Sequence, residues 1–418
     1  MSKLIPSFLR HVGPGVITGA ADDDPSGIAT YTQAGAQFGT GLIWTVFLSL
    51  PFMIAIQLVS ARIGRVTGKG LAANLREHTP RTFLVLVVVL LTVANTINIA
   101  ADVAAMGEAL QLVVGGGEHF HAVFFGLLTV LLQIFVPYRR LAPILKWLTL
   151  FLFAYVIAIF TVHVPWAKVL HDLVIPKIEW SSAYWMMLVA LLGTTISPYL
   201  FFWQASQEVE ELRLKGQGGG HSSIALDLQR VRRDTIVGMC FSNLIAFFIM
   251  VMAAVVLYAA GIRDITSAAQ AALALKPLAG EFAFMLFAGG VIGTGLLAVP
   301  VLASSAAYAV AEAFGWPEGL ERRWYEAKRF YAIIAVATIV GTGLSFTSID
   351  PMKALYWSAV INGVVAAPIM VGLMLLASNQ SVMGPFVSGV KTRWFGWLGA
   401  GLMGLAVLMM LWDVWPGH

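Results

Sequence analysis

The chain has 418 residues, 59% of them hydrophobic and only 11% charged, with a mean hydropathy of +0.82. A soluble protein of this size cannot cover its surface with so few charges, so the composition indicates a polytopic membrane protein with the lipid bilayer as its surroundings. The formal net charge of +4 is spread over many short connections, a topological signal rather than a nucleic-acid footprint, and the single cysteine, Cys240, excludes an internal disulfide or cysteine-based metal cluster and is expected to be a buried, inert thiol.

The opening residues, MSKLIPSFLRHVGPG, carry neither an apolar h-region nor a small-residue cleavage site, so no signal peptide is expected. Counting stretches of about 20 apolar residues, enough to cross the hydrocarbon core, predicts eleven spans. They lie near 12–38, 41–64, 82–111, 119–138, 142–163, 183–211, 233–260, 279–312, 328–346, 352–377 and 394–413. All but five of the 26 Lys and Arg residues fall in alternate connections, the exceptions being Lys168, Lys177, Arg263, Lys276 and Lys353. The positive-inside rule then predicts a multi-pass protein of the cell inner (plasma) membrane with a cytoplasmic N-terminus and, with an odd span count, an external C-terminus.

The first span contains GAADDDPSGIAT, Gly19 to Thr30. Charge is costly at bilayer depth and Pro25 and Gly27 are poor helix residues, so this stretch reads as a broken membrane helix that holds an ion. Where a helix unwinds, carbonyls lose their i to i+4 partners and become available to a cation. Asp24, directly before Pro25, is the carboxylate best placed at the break, with capping of the second half-helix as its structural alternative. Asp22 and Asp23 precede it on the first half-helix, turned about 100° per residue, so the three acids are not expected to converge. They are assigned to an aqueous access path or to pairing with a base, ahead of direct ligation.

The sixth span repeats the anomaly with Gly193-Thr194-Thr195-Ile196-Ser197-Pro198-Tyr199, five spans later. Because five is odd, a second set of five enters the bilayer with the opposite orientation, and paired interruptions at matching places point to an inverted-repeat transporter with its site at the midplane. The expected organisation is 1–163 for the first five-helix repeat, 164–377 for the inverted second, and 378–418 for an additional span. Glu208, Glu210 and Glu211 crowd the end of span six, where acids oppose the helix dipole. Arg213 and Arg230 to Arg233 are their expected partners in a gate or latch, and Glu312 is expected to pair with Arg322 and Arg323. The glycine-rich loop Lys215 to Ser223 reads as a flexible linker rather than a phosphate cradle. His119 and His121 are placed on an external loop in solvent. Tryptophans from Trp316 to Trp324 and Trp394 to Trp415 read as interfacial anchors.

The stretches GPGVITGAADDDPSGIATYTQAGAQFG, IQLVSARIGRVTGKGL and GTTISPYLFFWQAS resemble natural resistance-associated macrophage protein (Nramp) transporters, whose first-span signature is Asp-Pro-Gly-Asn and whose sixth span carries a Met-Pro-His region. The resemblance covers spans one to ten. It implies an all-α, LeuT-like fold of two inverted repeats with broken helices 1 and 6, and proton-coupled uptake of manganese or iron. It implies no enzyme activity, no cofactor apart from a divalent cation as substrate, and no obligatory protein partner.

In the family the metal is held by the first-span Asp and Asn, a sixth-span methionine sulfur and a sixth-span alanine carbonyl. Here those positions are Asp24, Gly27, Ser197 and Thr194. A thioether favours softer ions, whereas carboxylate, hydroxyl, carbonyl and water suit Mg²⁺, Ca²⁺ or Mn²⁺. Loss of two side-chain ligands is expected to leave room for Mg²⁺, which keeps several waters and binds through one or two carboxylates. The pattern looks like the Nramp-related magnesium transporter branch; in the alternative, Asn362 of span ten or Asp23 replaces the lost ligands and the ion remains manganese. Asp102 matches the family's third-span Asp and is read as steering cations or as a buried acid paired with a base or polar neighbours. Ala105 stands in place of the nearby Glu of the proton route, and Tyr199 and Gln204 in place of the sixth-span histidines, which leaves them to line the metal or access path and predicts weak or absent proton coupling. Two rivals are a sodium-coupled organic-solute symporter and, from another class, an intramembrane aspartyl hydrolase using Asp24 and Asp102, which would need carboxyls close enough to share a proton.

Overall fold

The computed structural model describes residues 13–136, 149–215, 221–346 and 350–414, and among these the ordered segments are helices. Residues 142–148 of the predicted fifth span, residues 216–220 of the glycine-rich loop and Trp415 lie outside the described residues. In chain order the helices are α1 (Pro14–Asp22), α2 (Pro25–Phe38), α3 (Trp44–Thr67), α4 (Leu71–His78), α5 (Arg81–Val114), α6 (Glu118–Phe135), α7 (Phe153–Ala158) and α8 (Trp166–Val174). They continue with α9 (Ser182–Thr195), α10 (Pro198–Lys215), α11 (His221–Ala253), α12 (Ala283–Phe314), α13 (Lys328–Leu344), α14 (Pro351–Ser378) and α15 (Val390–Val414). Among the described residues eight segments are long and apolar enough to cross a membrane. The first span is too short for that in each of its two pieces, of 9 and 14 residues, because the chain breaks between them.

Both breaks follow from proline chemistry. Pro25 and Pro198 each occupy the first position of a half-helix, where the missing N–H costs nothing. The residue before a proline is pushed out of the helical region; Asp24 is accordingly extended, with φ −68° and ψ 172°. At the second break the Ser197 hydroxyl donates to the Thr194 carbonyl at 2.8 Å and the Gly193 carbonyl at 3.2 Å, satisfying acceptors that the end of α9 leaves open.

The helices pack as two groups. The broken pairs α1/α2 and α9/α10 lie with α3 and α11, while α5, α6, α12 and α13 pack on one another; α14 bridges the groups through α9 and α5. Within the first group α1 is fixed to α11 along a strip of small residues. A Cβ on Gly19 would sit on the Gly238 carbonyl, and one on Gly15 would meet the Thr235 backbone at 2.6 Å. Asp234 of α11 accepts from the Gly13 and Gly15 N–H groups at 3.2 and 2.6 Å, capping the N-terminus of α1 from outside. Asp172 of α8 accepts from Thr40 at 2.6 Å and pairs with Lys177 at 2.7 Å and His171 at 3.1 Å. Burial alone would raise its pKa, but the Lys177 ammonium and the Thr40 and His171 contacts outweigh burial and bring it down to about 2.

Four expectations are corrected. Cys240 is exposed on the outer face of α11, where the surroundings are lipid, because Gly238 and Ser242 take the inward face. His119 and His121 stand in the first turn of α6 rather than in a loop; His119 remains exposed, stacked on Phe346, whereas His121 is buried. Glu312 does not pair with Arg322 or Arg323: it caps the N-terminus of α4 through the Ala72 and Ala73 N–H groups at 3.0 and 3.3 Å and accepts from Ser206 at 2.8 Å. Arg213 pairs with Glu318 at 2.9 Å, leaving Arg230 to hold Glu208 at 3.4 Å and Glu211 at 2.5 Å.

Overpacking a tight helix contact costs about 1–3 kcal/mol. Gly19→Val should therefore lower the thermal unfolding temperature in detergent, while Gly401→Ala, which faces open space, should leave it unchanged. For Asp172 the folded pKa lies below the ordinary carboxylate value, so its contribution is present above about pH 4 and is lost as pH falls through about 2. The stability gap between the wild type and Asp172→Asn should be full at pH 7 and shrink steadily below about pH 4.

Candidate metal site

Asp24 is the N-cap of α2. Its Oδ1 accepts from the Gly27 N–H and the Ser26 hydroxyl, each at 2.7 Å. Its Oδ2 accepts from Asn98 Nδ2 of α5 at 3.0 Å and faces the Tyr199 hydroxyl of α10 at 3.4 Å. The single Tyr199 proton goes to the nearer acceptor, the Ala21 carbonyl at 2.9 Å. Oδ2 therefore keeps a lone pair on the side where α1 ends and α10 begins, while Oδ1 is used in capping α2.

Asp22 ends α1, but Asp23 has already left the helix, with φ −86° and ψ 53°. The 100° helical argument thus fails after Asp22, and the backbone turn brings Asp22 and Asp23 to one partner, the Ser242 hydroxyl of α11, at 2.6 and 3.1 Å. This partner is a hydroxyl, correcting the expected base. Asp22 Oδ1 and Asp23 Oδ2 accept no hydrogen bond, and neither do the two oxygens of Asp102, one turn after Asn98 on α5. The four acids are at most 1% exposed. Among the described residues no basic side chain pairs with any of them.

The remaining polar side chains at the break are neutral hydroxyls and amides. Thr194 Oγ1, Tyr31 OH, Asn98 Oδ1 and, on α14, Asn362 Oδ1 are buried without a partner. Asn362 adjoins the crossing of α9 and α14, where a Cβ on Gly193 would lie within clashing distance of the Gly363 backbone; it makes no hydrogen bond to Asp24. Gln204 is not part of the break. Seven residues after Ser197, and about 10 Å along the axis, it joins Gln57 at 2.5 Å and Thr235 at 2.9 Å. Nor does Gly27 leave open room: a Cβ there would lie 3.2 Å from Thr194 Oγ1 and 3.3 Å from the Tyr31 ring. The threonine hydroxyl and tyrosine edge have filled the space that a side chain at this position would take.

Among the described residues no three His, Cys, Asp or Glu side chains form a closed metal cage. The site instead combines carboxylate and neutral oxygens at the C-terminal ends of α1 and α9, where the helix dipoles are negative and favour a cation. Asn98 and Ser242 escaped the sequence reasoning. Asn98 carried a usable signal, since Asn95, Asn98 and Asp102 fall on one face of a largely apolar helix; Ser242 carried none.

The sequence profile of the natural resistance-associated macrophage protein-like family matches residues 15–413. The chain belongs to the Nramp family. Nramp proteins are transporters, not enzymes, and this chain is a multi-pass divalent-metal transporter with a LeuT-like inverted-repeat fold. Its structure is similar to that of an Eremococcus coleocola manganese transporter in complex with an aromatic bis-isothiourea compound, at 19% identity and a TM-score of 0.78, over 98% of this chain and 88% of that one. It is also similar to MhsT in complex with L-phenylalanine, at 12% identity and a TM-score of 0.64, over 96% and 98% of the two chains.

A hydrogen bond to a charged group contributes about 1.5–3 kcal/mol, equivalent to roughly tenfold or more in affinity. Asn98→Ala, which frees Asp24 Oδ2 from its positioning donor, should weaken the apparent affinity for the transported cation about tenfold while the protein folds normally. A concentration series of cation uptake reads this directly.

Proposed function

We propose that this Nramp protein carries Mg²⁺ into the cell by alternating access, with weak or no proton coupling. The supporting observation is the set of four buried carboxylates with no basic partner among the described residues, whose polar neighbours are neutral hydroxyl and amide groups. Uncompensated negative charge in a low-dielectric interior is unstable, and a cation is the compensation that a transport site supplies. Asp24 Oδ2 provides the charge, and the Thr194 carbonyl and water complete the shell. The Ser197 hydroxyl gives its proton to that carbonyl, so its own lone pairs remain available as a hard ligand, as Mg²⁺ prefers. The tight contacts of Gly27 with Thr194 of α9 and Tyr31 of α2 mean that a hydrated ion enters only when α2 and α9 separate, so hydration changes are tied to movement of the half-helices.

Weak coupling is supported by Tyr199 and Gln204, neither of which titrates near neutral pH and both of which are engaged in fixed hydrogen bonds. A doubly charged ion crossing 100 mV gains about 4.6 kcal/mol, enough to drive inward movement without protons. The arrangement of basic connections supports an inner (plasma) membrane location with the N-terminus inside and the C-terminus outside. The two interrupted spans support repeats over 1–163 and 164–377, with 378–418 as an added span.

The second reading is proton-coupled manganese or iron import. It is favoured by the likeness to a manganese transporter and by the free amide oxygens of Asn98 and Asn362, which Mn²⁺ accepts as readily as Mg²⁺.

Reconstitution into liposomes, with Mg²⁺, Mn²⁺ and Ca²⁺ flux and lumenal pH followed together, separates the two. Voltage-driven Mg²⁺ uptake without lumenal acidification is expected, and Asp24→Ala should abolish it. Manganese uptake that acidifies the lumen, with no magnesium flux, would overturn the proposal.

A further inference from the structure

Away from the metal site, α5, α12 and α13 enclose a groove of about 570 Å³ on the outer surface of the protein. One wall is the stripe Arg329, Ile333, Val336 and Val340 of α13; the other carries Thr92 and Thr96 of α5, with Val310 and Trp316 at the base. The threonines present little polarity, because their hydroxyls donate to the Val88 and Thr92 carbonyls of their own helix at 2.7 and 2.8 Å. Val336 and Val340 are 59% and 47% exposed, so the groove opens toward lipid.

Its dimensions are those of one leaflet. The eleven-residue rise from Arg329 to Val340 is about 16 Å, close to half of the ~30 Å hydrocarbon core. The groove ends one residue further on, where a Cβ on Gly341 would lie 2.7 Å from Ile99 and α5 and α13 touch. Its mouth is at the start of α13, in the Arg- and Lys-rich connection that also holds Arg322, Arg323 and Lys328.

The mouth carries a cation without a counter-charge. The Arg329 guanidinium lies over the Trp316 ring, 4.8 Å from its centre, and among the described residues no carboxylate pairs with it. Glu326, one turn earlier, accepts instead from the Arg323 N–H at 2.9 Å. A guanidinium held over an indole at the membrane interface presents its remaining donors to a phosphodiester, while an acyl chain matches the apolar stripe below it. Basic sites between spans on the positively charged side are suited to acidic headgroups.

We propose that this groove binds an anionic phospholipid of the leaflet facing the basic loops, its phosphate on Arg329 and one acyl chain between α5 and α13. The bound lipid would fasten together three helices of the group against which the broken spans move.

Native mass spectrometry of the purified protein with phosphatidylglycerol and phosphatidylcholine of matched acyl chains tests this. A preference for phosphatidylglycerol of about fivefold is expected, from about 1 kcal/mol per basic residue. Arg329→Gln should bring that preference close to one. Arg323→Gln should keep it, since the Arg323 guanidinium bonds Tyr325 at 2.6 Å. Val336→Trp, which fills the groove from an outward-facing position, should reduce retention of both lipids, and glycerol phosphate without acyl chains should not compete. Unchanged preference in Arg329→Gln, undiminished retention in Val336→Trp, or competition by glycerol phosphate would each overturn the proposal. Thermal unfolding of each variant without lipid, matching the wild type, establishes that the reading comes from folded protein.

Discussion

Four carboxylates, Asp22, Asp23, Asp24 and Asp102, are enclosed in the interior with no basic side chain paired to them among the described residues. Ion pairs do occur elsewhere in the molecule: Arg65 with Asp227, Arg230 with Glu208 and Glu211, Lys177 with Asp172. Basic residues are thus used where charge is to be fixed, and withheld from the break. Had an arginine reached Asp24, it would have held the carboxylate permanently and removed the electrostatic demand that draws in a cation.

The backbone meets this demand with the means already needed to break a helix. Pro25 and Pro198 end two helices in mid-membrane, leaving carbonyls of α1 and α9 without intrahelical partners. Some of these are satisfied locally, by Tyr199 on Ala21 and by Ser197 on Thr194. Those contacts are neutral and carry one proton each, so they hold the site in shape while leaving lone pairs on the inner side. Asp24 serves both ends of the problem, with one oxygen capping α2 and the other turned toward the gap.

Anchoring decides which parts can travel together. Asp234 and the Gly15, Gly19 and Gly238 contacts bind α1 to α11, and Ser242 on the same helix reaches Asp22 and Asp23. A displacement of α11 therefore carries the acids with it. Asn98 and Asp102 belong to α5, which packs with α6, α12 and α13. The Asn98 to Asp24 hydrogen bond consequently spans the boundary between the two helix groups. On the proposed reading, a cation held at Asp24 would sit across this joint and tie occupancy to relative movement of the groups.

The membrane class, the two interrupted spans and Asp24 as the acid at the first break were legible in the sequence. Each rests on local chemistry: apolar run length, proline at the first helical position, and the extended backbone that precedes proline. The fate of Asp22 and Asp23 was not legible, because the helix ends between them and their shared partner, Ser242, is more than two hundred residues away. The space around Gly27 was misjudged for a similar reason: whether a missing side chain leaves a hole depends on the neighbours, and Thr194 and Tyr31 close it. Glu312 and Cys240 show the same division, since a buried cap on α4 and a lipid-facing thiol depend on which face of a helix meets another. Sequence alone determined where the helices stop and which charges enter the membrane; the tertiary structure decided which of those charges meet, because packing between distant helices leaves no periodic trace in the chain.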